Sequence, residues 1–204
     1  MMDRFHNGGK GGVGVSAMVG GTGFMVTQKL LDKLGGWHTE TISEDLEITA
    51  QTVLAGERVA YVPKAVTYDE QPLTWEQSIK QRRRWTSGTL QVAQRYLPAL
   101  GQAQSDRPRL ALFDFEATLL LPAYQLAALA GLLCTAFTAA LGGRTLLQAL
   151  ALGLAGVLGN LAWAALTATA AAGIVITMEG KWDVRLWKGL AAYWLFLLTW
   201  LPIT

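Results

Sequence analysis

Gln81-Arg82-Arg83-Arg84-Trp85 stands inside the stretch that decides the architecture, running from Thr74 to about Leu97. Thr74 precedes Gln77 by three residues, the spacing of a capping box, so the stretch predicts a long helix. On that helix Gln81, Arg84, Trp85 and Gly88 share one face, while Arg82 and Arg83 point elsewhere. A guanidinium, an amide and an indole on one face suit a ligand that is both anionic and sugar-bearing. Arg84 is placed to neutralise a departing diphosphate, Trp85 to offer a flat ring to a sugar, and Gln81 to bond its hydroxyls or a phosphate. Gly88 lets another backbone or a ligand approach. The competing reading is a basic amphipathic helix lying on anionic lipid, a role that Arg82 and Arg83 also fit.

Working back along the chain, the acidic pair Glu44-Asp45 lies thirty-six residues before Gln81. Ser43 reads as the N-cap of a helix in which Leu46, Thr49, Ala50, Val53 and Leu54 recur at helical spacing until Gly56. Acids in a first turn are favoured by the helix dipole alone. The same dipole keeps a carboxylate ionised, as a general base must be. Asp45 is the candidate base for an acceptor hydroxyl, and Glu44 the candidate to orient the site.

The intervening and preceding segments read as alternating elements. Ser16 to Val26 is a strand candidate interrupted by Gly20-Gly21-Thr22-Gly23. Thr27 caps a short helix, Gln28 to Leu34, closed by Gly35-Gly36. Arg58 to Val62 and Ala65 to Tyr68 are further strand candidates. Strands and helices in alternation predict part of an α/β domain, with exposed strand edges. The glycine-rich residues 1–16 lack a following Gly-Lys-Ser/Thr, which excludes a P-loop.

Composition narrows the classes. Seventeen Lys and Arg against fifteen Asp and Glu leave no nucleic-acid signature. The single Cys134 excludes a disulfide framework, and His6 and His38 lack the further ligands a metal site needs. After residue 116 charge becomes rare. Ala117 to Leu141 is a run of 25 residues without a charge, Thr145 to Met178 a run of 34, and Gly189 to Thr204 a run of 16. About 20 apolar residues cross a bilayer, so two complete transmembrane helices and a third, shorter one are expected. Lys and Arg placement puts the preceding part on the cytoplasmic side. Asp114 and Glu116 then stand at the membrane threshold, with Arg107 or Arg109 as partners. Gln148 and Asn160 serve helix–helix hydrogen bonds. A transporter or channel piece is a third reading of these segments.

Ser43-Glu44-Asp45 resembles the Thr/Ser-Glu-Asp motif of glycosyltransferase family 2, and Gln81-x-x-Arg84-Trp85 is similar to that family's Q-x-x-R-W motif. Gly35-Gly36-Trp37, the run Gly56 to Pro63, and Arg84 to Gly88 fit the same pattern. Gly21-Thr22-Gly23 matches its small-residue segment beside the acceptor. The resemblance covers roughly residues 16 to 100. It implies a membrane-bound, hexosyltransferase-type enzyme like the cellulose, hyaluronan and chitin synthases, transferring a sugar from a UDP-sugar or other nucleotide-sugar donor to a saccharide or lipid acceptor with inversion. Asp45 is then the base, and Glu44, Gln81, Arg84, Trp85, Gly21, Thr22 and Gly23 bind acceptor or donor.

The fold expected is therefore α/β, a partial GT-A-like domain over 1–100, followed by a linker over 101–116 and transmembrane α-helices over 117–204. The setting implied is a multi-pass protein of a bacterial inner membrane, embedded in the lipid bilayer, with its α/β part cytoplasmic. The alternative is a non-catalytic small membrane protein binding anionic lipid or a partner through its basic helix. The family holds Mg or Mn through an Asp-x-Asp motif that this sequence does not contain. The chain is thus expected to be a fragment, binding no cofactor itself and inactive alone.

Overall fold

The computed structural model describes residues 7, 10, 15–103, 109–142, 145–180, 188–190, 193, 196, 199 and 203. Among the described residues the bounded helices are α1 (Gln28–Leu34), α2 (Glu44–Leu54), α3 (Trp75–Gln102), α4 (Arg109–Leu141) and α5 (Leu146–Glu179). The chain divides into two compact units, residues 1–121 and 122–204.

Local chemistry explains the helix ends. Thr27 accepts the Leu30 N–H at 3.2 Å, and α1 closes on Gly35 at φ 77°, a left-handed position that glycine takes without steric cost. Thr74 and Gln77 form the expected capping box of α3. Helix α3 runs past Pro98, beyond the predicted end near Leu97. A proline costs a helix one hydrogen bond. Here Leu100, one turn from the helix end, is buried in the core, and that burial offsets the loss.

The first unit is built on three helices. Leu46, Ala50 and Val53 of α2 meet Val92, Ala93 and Leu100 of α3 and Leu112, Phe115 and Leu119 of α4. Each fully buried aliphatic or aromatic side chain contributes about 1.5–3 kcal/mol. In the second turn of α4 the buried Lys10 pairs with Asp114 at 2.6 Å. Arg107, one of the partners expected for that acid, lies outside the described residues.

The expected α/β fold is overturned. The described residues form helices and no strands. The segments 15–19 and 57–61 do share one bond, Ala17 N–H to the Val59 carbonyl at 3.0 Å. A ladder needs the next donors to find backbone acceptors. Instead Val59 N–H goes to the Ser16 hydroxyl, Met18 N–H to the Asn7 side chain and Val19 N–H to Thr49. Side chains satisfy what a neighbouring strand would have satisfied.

The second unit corrects the other half of the expectation. Among the described residues no helix is long and apolar enough to cross a membrane. The readings as transmembrane helices and as a multi-pass inner-membrane protein fall with that finding. A run free of charge is not a run that is apolar throughout: Gln148, Asn160, Thr167, Thr169 and Thr177 stand among the apolar residues of α5. Gln148 also has a local duty. Its side chain accepts the Thr145 N–H at 3.1 Å and its own N–H donates to the Thr145 hydroxyl, a capping box at the start of α5. The run Gly189 to Thr204 falls mostly outside the described residues.

Candidate functional site

Asp45 sits in the first turn of α2, half-buried, with Oδ1 accepting the Leu46 N–H at 2.7 Å. Burial raises its pKa above the ordinary carboxylate value, and the neighbouring charge of Glu44 raises it further. The Leu46 N–H and the positive charge of Arg84 pull the other way without cancelling the burial. Arg84 therefore stands within electrostatic reach of Asp45, although 39 positions separate them in sequence.

A single glycine explains how α2 and α3 come so close. A Cβ on Gly88 of α3 would fall onto the Ser43 hydroxyl and within 2.7 Å of Ser43 Cβ. Ser43 is the N-cap residue of α2, yet its side chain makes no capping hydrogen bond. The bare Gly88 lets the N-terminus of α2 rest directly on α3. That contact sets the N-terminus of α2 against the helix that carries Arg84 and Trp85.

The Gly21-Thr22-Gly23 segment closes another side of Asp45. A Cβ on Gly21 would lie 3.6 Å from Asp45 Oδ2, so this backbone passes the free face of the carboxylate. The Thr22 hydroxyl donates to Asp69 at 2.7 Å. Gly23 has φ 67°, and a Cβ there would come within 2.7 Å of Thr67 Oγ1. Gly23→Ala is expected to cost about 1–2 kcal/mol from the backbone alone, and more from the overlap with Thr67. Thermal unfolding of the variant checks this, and an unchanged melting temperature contradicts it.

Residues 70–73 and the start of α3 enclose an open cleft of about 710 Å³, lined by Glu70, Gln71, Pro72, Leu73, Gln77, Lys80, Gln81 and Arg84. Its polar lining comprises two cations, Lys80 and Arg84, one carboxylate, Glu70, and three amides, Gln71, Gln77 and Gln81. Gln81 and Arg84 are the expected residues; Lys80 was not anticipated, though it precedes Arg84 by one helical turn. Asp45 and Trp85 do not line this cleft. Trp85 is 43% exposed. Arg84 is the residue common to the cleft and to the surroundings of Asp45.

Arg82 departs from expectation. It is 1% exposed, its guanidinium lies 5.3 Å from the Trp75 ring centroid, and its Nε donates to the Ser78 carbonyl at 3.3 Å. It packs inside the protein and is not offered to a lipid surface. Its spacing from Trp75, Ser78 and Thr86 along the helix was the signal that it shares their face.

Glu47 is the residue that the motif reading passed over. It is 0% exposed. Oε2 accepts the Glu40 N–H at 2.8 Å and the Thr41 N–H at 2.7 Å; Oε1 accepts the Tyr96 hydroxyl at 2.9 Å. Arg95 Nε lies 3.8 Å from Oε1. Burial alone raises its pKa, but the hydrogen bonds from Thr41, Tyr96 and Glu40 outweigh burial, and the net shift is downward. The sign follows: Glu47 adds stability above the ordinary carboxylate range, and that stability is lost as pH falls through its lowered value. Acid unfolding of Glu47→Gln should accordingly show a weaker pH dependence than wild type below about pH 4.5. Identical acid-unfolding curves contradict it.

Among the described residues no three His, Cys, Asp or Glu side chains gather to hold a metal ion.

Over residues 4–203 the sequence matches Glycosyl transferase family group 2, and the chain belongs to that family. It is similar to a probable glycosyltransferase, YdaM, of Bacillus subtilis (strain 168), with 31% identity over 99 residues. That match takes in 48% of this chain and 24% of the relative's length. No solved structure matches.

Proposed function

We propose that this chain carries the acceptor-side machinery of an inverting glycosyltransferase that uses a nucleotide-sugar donor of the UDP-hexose class. Family membership supports sugar transfer, and one observation supports the assignment of roles: Arg84 belongs both to the cleft with Lys80 and to the charged surroundings of Asp45. Asp45 takes the proton from a hydroxyl of a saccharide or lipid acceptor. The acceptor oxygen forms its bond to the anomeric carbon from the face opposite the leaving group. The bond from that carbon to the diphosphate oxygen breaks, and its electron pair departs on the nucleoside diphosphate. Arg84 neutralises that charge with Lys80 one turn away. Gln81 bonds the donor, Trp85 offers its exposed ring to a sugar, and Gly21-Thr22-Gly23 with Glu44 shapes the space around Asp45.

The raised pKa of Asp45 suits this role, because a base with a higher affinity for the proton transfers it with more driving force. The test of the cleft is UDP affinity by calorimetry. A charge-assisted hydrogen bond contributes about 1.5–3 kcal/mol, so Arg84→Ala should weaken UDP binding by about 10- to 150-fold. Undiminished affinity in that variant rules out Arg84 as the diphosphate ligand.

A further inference from the structure

The face of α3 that bears the motif does not end at Gly88. Gln91, Arg95 and Tyr96 continue the same three- and four-residue spacing toward the C-terminal end of the helix. Each grips the segment that leads into the acidic turn, or α2 itself. Gln91 Oε1 accepts the Ile42 N–H at 3.1 Å. Arg95 Nη1 pairs with Glu40 at 2.5 Å. The Tyr96 hydroxyl donates to Glu47 and accepts from Gln51 Nε2 at 2.9 Å. Glu47 lies at the centre, holding the Glu40 and Thr41 amides with one oxygen and Tyr96 with the other.

A buried carboxylate is costly unless each oxygen is satisfied, and here both are. The residues it bonds lie on two different elements. One is the backbone just before Ser43-Glu44-Asp45; the other is the far end of the helix that carries Arg84. Glu47 itself is on the first turn of α2, two residues beyond Asp45. Any slide of α3 along α2 therefore stretches the Tyr96 bond and tilts the turn bearing Asp45. Gly88 against Ser43 sets how near the helices stand; the Glu47 cluster sets their register.

We infer that Glu47 is a positioning residue which, through Tyr96 on one side and the Glu40–Thr41 backbone on the other, fixes Asp45 relative to Arg84. The inference rests on the proposed function for its catalytic consequence, but its structural half stands without it. Glu47 touches no substrate. One carboxylate oxygen takes the two converging backbone donors and the other takes the Tyr96 hydroxyl; an amide keeps a single, uncharged acceptor and so weakens the first set and loses the second.

The experiment uses the purified protein as Glu47→Gln and, should that variant fold poorly, as Tyr96→Phe, which removes one hydroxyl and keeps the ring. Amide hydrogen exchange is read first, at Glu40 and Thr41. Glu47→Gln should exchange about 10- to 100-fold faster there, in line with the loss of a charge-assisted bond. Tyr96→Phe should exchange faster at the same amides by a smaller factor. Exchange unchanged in both variants overturns the clamp, whatever the protein's activity. Sugar transfer is read second. With melting temperature close to wild type, kcat should fall about tenfold or more while the donor KM holds, because the misplaced group is the base. The acid limb of the kcat profile should move as Asp45 shifts in its surroundings. Accelerated exchange with wild-type kcat overturns the positioning role. A wild-type protein without UDP affinity defeats the proposed function instead, and leaves the exchange result to decide the clamp.

Discussion

Asp45→Asn is expected to lower sugar transfer by about 10²- to 10⁴-fold, the contribution of a positioned general base. Nucleoside diphosphate binding should survive, because the cleft lined by Lys80, Gln81 and Arg84 does not include Asp45. The substitution should not harm the fold. Asparagine keeps an oxygen for the Leu46 N–H that Asp45 Oδ1 now accepts. The pKa of Asp45 is raised, so the folded protein holds that proton more tightly than the unfolded chain does. Asp45 thus adds stability below the ordinary carboxylate range and withdraws it as pH rises through the raised value. At neutral pH the neutral asparagine should leave the melting temperature equal or higher. Loss of activity with retained or increased stability is the mark of a residue kept for chemistry. In wild type, the acid limb of kcat should fall above the usual aspartate value of about 3.9. Transfer unchanged in Asp45→Asn removes the base from the account.

Gly88→Ala carries the second large effect. The added methyl group meets both the hydroxyl and the Cβ of Ser43. Overpacking of this kind costs about 1–3 kcal/mol, and relief requires the N-terminus of α2 to lift from α3. That movement takes Asp45 away from Arg84, so transfer should fall more than the folded fraction does. Ser43→Gly removes both clashing atoms. It should cost little alone, since Ser43 makes no capping bond and glycine is an acceptable N-cap. The double variant Ser43→Gly/Gly88→Ala should recover much of what Gly88→Ala loses, a coupling that thermal unfolding and kinetics both read. Additive losses contradict the direct contact.

The contrast between Thr74 and Ser16 shows how much of the fold was legible. Helix starts were readable because a capping box is encoded within four residues, as at Thr74 and Gln77. Strand pairing is encoded nowhere locally. Ser16 to Val19 has the composition of a strand, yet its donors end on Asn7, Thr49 and Val59, partners chosen by tertiary placement. The charge-free runs were long enough to suggest membrane spans, but length without charge does not establish sustained apolarity.

The candidate site was partly readable for the same reason. Gln81, Arg84 and Gly88 share a face because helical periodicity is local, and the structure brings Arg84 toward Asp45. Glu47 escaped because the motif reading stopped at Asp45. Its place on the stripe with Ala50 and Leu54 was the available signal, since an acid on a buried stripe must find partners. Arg82 escaped likewise, as one of three consecutive arginines whose burial depends on Trp75.

The central claim is that the acidic turn of α2 and the basic face of α3 make one active site. Its most direct measurement is the kinetic cycle of Asp45→Asn, Arg84→Ala and the double variant, each assayed for kcat/KM of sugar transfer. Groups that act as a unit lose strongly non-additively. The account predicts that the double variant falls little below the worse single variant. Losses that multiply would mean that the two residues serve separate sites.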